Sequence, residues 1–433
     1  MTRPWKFYHI LKKFSKLALC CSEAENFCKK AFRFPRQKMK KEKRMDFKIG
    51  FWNYVETGIL DPKKAVKDWK ELGMTLPMSF AYDPKKHKKE DMIALLDECH
   101  KEGMKVIVCD IRASYHTLCK IGVEAYEKGM REAVADFASH PAVFGFEVGD
   151  EPNKEQWQSA IDAYKINLKC APHLTPFINM FPMWGEDDFE LALGVPGETY
   201  ADLNADFMQK AGAKLISYDY YGQCAFFERE KWLDLYFKNL NIFKEAAERN
   251  NGQYFNSVLC VPHWAFREPT EDDIRWQIST SVAHGASGIM WFFIYERTLD
   301  GSYRRSPIDL FWNRTPLFDI LSRQNRIYNE FYAKILKDYH FDKVWHYLKA
   351  LGDTEEFVGN SELEGIKHIV NPVPTAVSRF INNEGKVAYI LVNLSQTEPT
   401  KIQPNFTGAL AKYNEAFWYA PGQMIIFTEE KRM

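Results

Sequence analysis

Eight short apolar runs alternate with amphipathic helical stretches from Phe47 onward, and this alternation restricts the fold more than any other feature. Taken as strands, the runs are Phe47–Val55, Leu76–Tyr82, Lys105–Ile111, Val143–Gly149, Pro176–Met183, Lys214–Tyr221, Ser257–Trp264 and Gly288–Tyr295. Between them lie stretches such as Glu90–Glu102, whose apolar residues recur at helical spacing. Strands that alternate with helices form a parallel sheet covered by helices, and eight such units predict an α/β protein with a (β/α)8 TIM barrel.

A doubly wound open sheet is the competing architecture for the same alternation. Sheets of that kind carry a Gly-rich phosphate-binding turn after the first strand. This chain has Trp52-Asn53-Tyr54 at that point. The barrel is therefore the preferred interpretation.

The chain divides into three predicted segments. Residues 1–45 carry 14 Lys and Arg against 3 Asp and Glu and are predicted to be a disordered or loosely helical extension. Residues 46–345 form the predicted barrel. Residues 346–433 contain short alternating strands, among them Val377–Asn382, Val387–Asn393 and Gln423–Phe427, and predict a small all-β sandwich. A start of translation at Met45 stays open, because the regular pattern begins abruptly at Asp46.

The charge and cysteine content argue against several classes of partner and cofactor. Outside the extension, 44 Lys and Arg stand against 55 Asp and Glu, so a nucleic-acid substrate is not expected. The apolar patch Leu17–Cys21 is too short, and too interrupted by Lys, for a membrane span or a clean signal peptide. The nine cysteines are scattered without metal spacing. We therefore expect a cytoplasmic protein with no cofactor, no bound metal and no membrane partner.

The stretch Val143–Asn153 delivers two adjacent carboxylates, Asp150 and Glu151, to the end of the predicted fourth strand. In TIM barrels the C-terminal ends of the strands carry the chemistry. Two neighbouring carboxyl groups can divide into a protonated acid and an ionised partner. The alternative is structural, with Asp150 capping the following helix and Pro152 in its first turn.

The ends of the other predicted strands carry groups that suit a sugar cleft, where aromatic faces stack on the ring and polar groups bind hydroxyls. The candidate residues are Trp52, Asn53, Asp110, Asn179, Asp219, Tyr220, Tyr221, His263, Trp264, Tyr295 and Glu296. With Glu151 and Asp150 as catalytic candidates beside Asp219, they predict a carbohydrate substrate and hydrolysis of a glycosidic bond.

Two motifs resemble known glycosidases. Asp150-Glu151-Pro152 is similar to the Asn-Glu-Pro motif that ends the fourth strand in retaining barrel glycosidases of clan A, with Asp in place of Asn. The stretch from Trp276 to Phe293 resembles the seventh helix and eighth strand of family 42 β-galactosidase-like barrels. The resemblance implies hydrolysis of a β-linked oligosaccharide or glycoside, with Glu151 as the acid/base. The clan's nucleophile, a Glu at the end of strand seven, is replaced by Cys260-Val-Pro-His-Trp264.

The missing nucleophile leaves several mechanisms open. Asp219, Glu268 or Glu296 could supply the second carboxylate. Alternatively, the Asp-Glu pair resembles that of family 20 and 123 β-N-acetylhexosaminidases, in which the substrate's acetamido oxygen attacks. That resemblance implies that Asp150 orients the acetamido group and that Tyr220 or Tyr221 holds it.

Two other classes stay open. One is a metal-dependent barrel enzyme that uses His263 with Asp110, Asp219 or Glu296. The other is a carbohydrate-binding barrel without catalytic activity.

Overall fold

The computed structural model describes residues 47–297, 303 and 305–433, with the backbone but not the side chains of 186–188. The predicted extension over residues 1–45 and the alternative start at Met45 lie outside the described residues. No helix in the described part of the chain has the length and apolar composition needed to cross a membrane.

Seven parallel strands form the main sheet, in the spatial order β1-β7-β6-β5-β4-β3-β2. They are β1 Lys48–Phe51, β2 Val106–Val108, β3 Val143–Asp150, β4 Phe177–Met180, β5 Leu215–Asp219, β6 Gln253–Leu259 and β7 Gly288–Phe292. The predicted strand Ser257–Trp264 is wrong in its bounds, because pairing with β5 begins at Gln253 and ends well before Trp264. Pro262 in the predicted C-terminal half has no N–H group to donate to a ladder.

Residues 75–82 close the sheet into a barrel between β1 and β2. Leu76 N donates to Ile49 O (3.0 Å) on one side, and Ser79 N donates to Ile107 O (2.9 Å) on the other. Pro77 cannot donate, and this segment pairs through isolated bridges instead of a continuous ladder. Counting it as the eighth wall segment, the prediction of a (β/α)8 barrel is confirmed.

Helices cover the outside of the barrel. They are α1 Pro62–Glu71, α2 Lys89–Lys101, α3 Tyr115–Ile121, α4 Val123–Ala133, α5 Trp157–Cys170, α6 Glu186–Leu193, α7 Tyr200–Ala211, α8 Arg229–Arg249, α9 Glu271–Ala283, α10 Pro316–Ile327 and α11 Ala333–Leu336. The predicted apolar stripe of α2, from Met92 to Cys99, is fully buried. Helix α9 begins with a capping box, in which Thr270 and Asp273 each bond the other's backbone N–H.

Two antiparallel sheets follow the barrel and form the predicted sandwich. The larger sheet has the order β14-β11-β10-β8 and the smaller has the order β13-β12-β9. The strands are β8 Tyr339–Tyr347, β9 Leu363–Val370, β10 Thr375–Asn382, β11 Val387–Asn393, β12 Thr400–Phe406, β13 Phe417–Tyr419 and β14 Met424–Phe427. Leu391 and Phe406 belong to the core between the two sheets. The domain limits stay a prediction, and β8 crosses the predicted boundary at 345/346.

The larger sheet packs its other face on helix α9 of the barrel. Trp276 Nε1 donates to Leu394 O (2.9 Å), and Ser378 Oγ donates to Ala283 O (2.7 Å). These bonds join the barrel and the sandwich through fully buried polar groups. The sandwich therefore braces the side of the barrel.

A buried histidine pair lies at this junction. Leu351 N donates to His346 Nδ1 (3.2 Å), so His346 Nε2 carries a proton and donates to His284 Nε2 (3.1 Å). His284 Nδ1 then donates to Thr280 O (2.9 Å). Both rings are neutral in this chain of bonds. Burial and the nearby Lys244 lower the pKa of His346 to about 3, and burial lowers the pKa of His284 well below its usual value.

The histidine pair predicts a loss of stability in mild acid. Because the folded pKa values are depressed, the unfolded chain binds more protons below the ordinary histidine pKa of about 6.5. We expect the unfolding free energy to fall by about 2 kcal/mol between about pH 7 and pH 5.5, as the two histidines become protonated in the unfolded chain. Urea unfolding of a His346→Leu variant should show a weaker pH dependence, whereas the exposed His100→Gln variant should follow wild type. An equal slope in all three proteins would contradict a neutral buried pair.

Candidate active site

The end of β3 is shaped by close packing around Gly149. Its φ is +143°, and a Cβ at this position would lie 2.4 Å from ring atoms of Tyr115. The Tyr115 hydroxyl donates to Asp150 O (2.6 Å) and fixes the backbone one residue further on. Glu151 has φ +46°, and its N–H donates to Asn179 O (2.9 Å). Glycine, tyrosine and asparagine thus hold both carboxylates at the C-terminal end of the barrel.

Substituting Gly149 by Ala is expected to lower the unfolding free energy by about 2–4 kcal/mol, because the added methyl group meets Tyr115 in a backbone conformation that already disfavours alanine. Gly103→Ala is the matched control. It has φ +73° and no atom within 4 Å of its Cβ position. That variant should lose only about 1 kcal/mol. Equal losses in the two proteins would show that Tyr115 does not hold this strand end.

Three carboxyl groups converge around Asn179 on the neighbouring strand β4. Asn179 Nδ2 donates to Asp150 Oδ1 (3.0 Å) and to Asp219 Oδ1 (2.7 Å). Asp219, at the end of β5, also lies close enough to Glu151 and Tyr221 for each of them to lower its pKa. We call Asp150, Glu151 and Asp219 the carboxyl cluster. The structure thus brings together the three residues predicted as catalytic.

The structural alternative for Asp150 does not hold. Helix α5 begins at Trp157, and its N-cap residue is Gln156. Asp150 lies well before this cap and bonds Asn179 instead. Its side chain is exposed to the open end of the barrel.

The carboxyl cluster holds protons more tightly than isolated carboxyl groups do. Burial raises the pKa of Glu151 well above its usual range, and the charges of Asp219 and Asp150 raise it further. Enclosure by the barrel mouth and the Asp219 charge also raise the pKa of Asp150, although its side chain keeps contact with solvent. Burial raises the pKa of Asp219, while hydrogen bonds from Asn179, Glu151 and Tyr221 favour its ionised form. Glu151 is therefore the protonated member and Asp219 the best-stabilised anion.

Aromatic side chains line the cleft beside the cluster. The Tyr221 ring stacks on Phe292 with centroids 5.4 Å apart. Tyr54 is 39% exposed and lies edge-on to Phe292 at 6.3 Å. Trp52 stacks alongside Tyr54 at 6.5 Å and donates its Nε1 to Ser257 Oγ (3.1 Å). Of the predicted substrate-binding residues, Trp52 and Tyr221 therefore belong to the cleft.

His263 and Trp264 form part of the rim after β6. Their rings stack at 4.3 Å, and Trp264 is 76% exposed. His263 also lies 5.4 Å from the Tyr303 ring and 5.0 Å from Phe292. An exposed indole stacked on an imidazole presents a flat apolar face to solvent.

Two predicted substrate-binding residues have their polar groups bonded to nearby protein groups. Asp110 is buried in a bidentate ion pair with Arg112, with a shortest distance of 2.7 Å, and caps the turn that follows β2. Asn53 donates to Met78 O (3.2 Å) and accepts from Val55 N (3.1 Å), which ties β1 to the segment over residues 75–82. Backbone groups and the Arg112 guanidinium therefore already satisfy these polar side chains.

Two predicted tyrosines make contacts outside the carboxyl cluster. Tyr220 packs against Trp232 and Tyr236 of helix α8, whereas the ring of the neighbouring Tyr221 packs on Phe292. Tyr295 is buried, its hydroxyl accepts a hydrogen bond from Trp69 Nε1 (2.7 Å) on helix α1, and it lines a pocket of about 300 Å³ beside Tyr54.

The other candidate second carboxylates lie outside the cluster's hydrogen bonds. Glu268 forms an ion pair with Arg305 (3.0 Å), whose side chain is 75% exposed. Glu296 follows β7, where its N–H donates to Ile308 O (2.8 Å), and it lines a pocket of about 300 Å³ beside Tyr54.

The metal-dependent alternative finds little support in this geometry. Among the described residues, no group of three or more His, Cys, Asp and Glu side chains is arranged to hold a metal ion. Asp110, which that alternative pairs with His263, forms an ion pair with Arg112.

Three residues near the site were not among the predicted ones. Tyr54 directly follows Trp52 and Asn53, so its position at a strand end was a usable signal. Glu147 interrupts the apolar run of β3 with a charge, and burial together with Asp150 raises its pKa to about 8. Arg297 carries no motif, and only the folded structure places its guanidinium over Tyr54, at 4.2 Å.

Fold and site together define a (β/α)8 barrel with an acidic, aromatic-lined cleft and a C-terminal sandwich. No protein-family model and no curated protein matches the chain. The β-galactosidase of the psychrophilic Marinomonas ef1 is structurally similar, with 12% identity, 67% of this chain and 62% of that chain covered, and a TM-score of 0.50. The cold-adapted β-galactosidase of Rahnella sp. R3 has 11% identity, 70% and 58% coverage, and a TM-score of 0.51. The chain thus spans about three-fifths of these structures and shares their fold.

Proposed function

We propose that the protein is a glycoside hydrolase for β-linked substrates, with Glu151 as general acid. The observation that supports this best is the crowding of three carboxyl groups at the C-terminal end of the barrel. Asn179 bonds both Asp150 (3.0 Å) and Asp219 (2.7 Å), and Glu151 follows Asp150 directly. This crowding favours a proton on the cluster, and burial together with the charges of Asp219 and Asp150 raises the pKa of Glu151. The raised pKa keeps Glu151 in the form that can protonate a departing sugar oxygen.

The spacing of the carboxyl groups favours a substrate-assisted reaction. Conventional retaining glycosidases separate acid and nucleophile by about 5–5.5 Å, and inverting enzymes separate acid and base by about 6.5–9.5 Å. Glu151 and Asp219 lie within hydrogen-bonding reach of each other, so that each shifts the pKa of the other, and this is closer than either arrangement. A conventional retaining mechanism that uses Asp219, Glu268 or Glu296 is therefore the second choice.

In the proposed reaction, the substrate's acetamido oxygen attacks C1 while the bond from C1 to the glycosidic oxygen breaks. Glu151 gives its proton to the departing oxygen. Asp150, the exposed member of the cluster, accepts the acetamido N–H and stabilises the positive charge of the ring intermediate. Water then attacks C1, Glu151 takes back a proton, and the acetamido group is restored. In this proposal Tyr221, whose ring packs on Phe292, holds that group, and Tyr220 does not.

A panel of aryl β-glycosides tests the proposal directly. We expect release of the aryl group from 2-acetamido-2-deoxy-β-glycosides and little from β-galactosides or β-glucosides. Hydrolysis confined to the 2-hydroxy sugars would support the conventional mechanism. Sugar binding by calorimetry without release from any substrate would show a carbohydrate-binding barrel and overturn the enzymatic proposal.

A further inference from the structure

The guanidinium of Arg297 is held by aromatic rings at the mouth of the cleft. Its Cζ lies 4.2 Å from the ring centroid of Tyr54, 5.7 Å from Tyr303 and 6.0 Å from Phe293. The side chain is exposed and lies five residues beyond the end of the last barrel strand, β7. Contacts of this kind cover the flat faces of a guanidinium and leave its N–H groups pointing outward in the plane.

Those N–H groups are available to a ligand. Within residues 47–297, 303 and 305–433, Arg297 forms no ion pair with a carboxylate, unlike Arg112, Arg267 and Arg314, which each contact an Asp. A stacked guanidinium with open edges matches the two oxygens of a carboxylate or sulfate group.

A pocket of about 300 Å³ lies under this guanidinium, at the small end of the range for ligand sites. Its lining includes Trp52, Tyr54, Phe293, Trp312, Glu296 and Arg297. Glu56 also lines it and lies 4.0 Å from His87. Among the described residues that line the pocket, Arg297 carries the one cationic side chain.

Tyr54 links this pocket to the carboxyl cluster. Its phenol is close enough to the charges of Asp150, Arg297 and Asp219 for all three to shift its pKa. A sugar whose anomeric carbon is at Glu151 can therefore extend past Tyr54 toward Arg297. An acidic cleft repels an anionic sugar unless a cation receives the negative group.

We propose that Arg297 is a specificity residue that binds an oxyanion on the sugar, either a carboxylate or a sulfate ester. The inference rests on the proposed glycosidase function and narrows its substrate to acidic glycosides. The group would dock edge-on to the guanidinium, with the sugar ring against the aromatic wall. Screening by salt should weaken this preference, because the contact is electrostatic and near solvent.

Three aryl 2-acetamido-β-glycosides test it: the neutral sugar, its 6-sulfate and its 6-carboxylate. Wild type should have a lower KM for a charged form, and the 6-sulfate and the 6-carboxylate distinguish the two sources of the anion. Arg297→Gln should raise the KM of the preferred charged form by about 10- to 100-fold, as expected for a charge-assisted bond, and leave the neutral one within about twofold. Arg297→Lys should keep part of the preference. Arg305→Gln, an exposed arginine paired with Glu268, is the control and should change none of the three.

The outcomes separate the two proposals. A wild type that hydrolyses the neutral sugar best, or an Arg297→Gln variant that shifts all three KM values alike, overturns the anion site and keeps the glycosidase. If none of the three substrates turns over, the proposed reaction fails. Calorimetry with N-acetylglucosamine and its 6-sulfate then still tests Arg297, since equal binding of the two free sugars by wild type contradicts the inference.

Discussion

Replacing Glu151 with glutamine is expected to lower kcat on a glycoside with a poor leaving group by about 10²–10⁴-fold, the contribution of a positioned general acid. Glutamine keeps the size of the side chain and can still donate to Asp219, so the loss reflects the missing proton. Aryl glycosides with very acidic phenols leave without protonation and should lose much less. Glu155→Gln, an exposed glutamate four residues later, is the matched control and should keep wild-type rates.

The pH dependence gives this prediction a second measurement. The wild-type rate should fall at high pH as Glu151 loses its proton. Because burial, Asp219 and Asp150 raise the pKa of Glu151, this fall should lie above the usual carboxyl range. The Glu151→Gln variant should lack it. A variant that retains near-normal rates on poor leaving groups would remove Glu151 from the chemistry altogether.

The architecture was predictable because barrel strands are short, apolar and separated by amphipathic helices. The pattern predicts eight strands. Seven of them are strands in the structure, and the eighth, over residues 75–82, is an irregular segment of the barrel wall. Proline explains two of the places where bounds or regularity differ from the prediction, because Pro77 and Pro262 remove ladder donors. The strands of the sandwich were read from their alternation in the same way.

The site was predictable only where a polar residue at a strand end has no local partner. Asp150, Glu151 and Asp219 satisfy that condition and meet around Asn179. Asp110 has a local partner, because the guanidinium of Arg112, two residues later, donates to its carboxylate.

Side-chain direction needed the folded backbone. The register of β3 against β4 shifts between Glu147 and Gly149, so simple alternation along the strand does not tell which residues face the cleft. The same limit applies to Tyr220 and Tyr221, which are adjacent and pack against different groups. Arg297 is harder still, since its role depends on three rings from separate parts of the chain.

Substituting Asp150 by asparagine is expected to reduce kcat on 2-acetamido substrates by about 10²–10³-fold. In the substrate-assisted reaction, the Asp150 carboxylate faces a developing positive charge, and asparagine keeps the shape without the charge. Replacing the acetamido group by hydroxyl in the wild-type enzyme should produce a loss of at least similar size, because the internal nucleophile is gone. Asp97→Asn, on the exposed face of helix α2, is the control and should have no effect.

Two chemical probes distinguish the substrate-assisted mechanism from the conventional one, because each mechanism responds to only one of them. A thiazoline that mimics the cyclic intermediate should inhibit wild type at least about 10²-fold more tightly than substrate binds, as transition-state and intermediate analogues do. The Asp150→Asn variant should lose most of that affinity. A 2-fluoro sugar should leave no covalent label. If mass spectrometry instead finds a glycosyl adduct on Asp219, Asp219 and Glu151 must move apart when substrate binds, and the reaction becomes a conventional double displacement with Glu151 still as the acid.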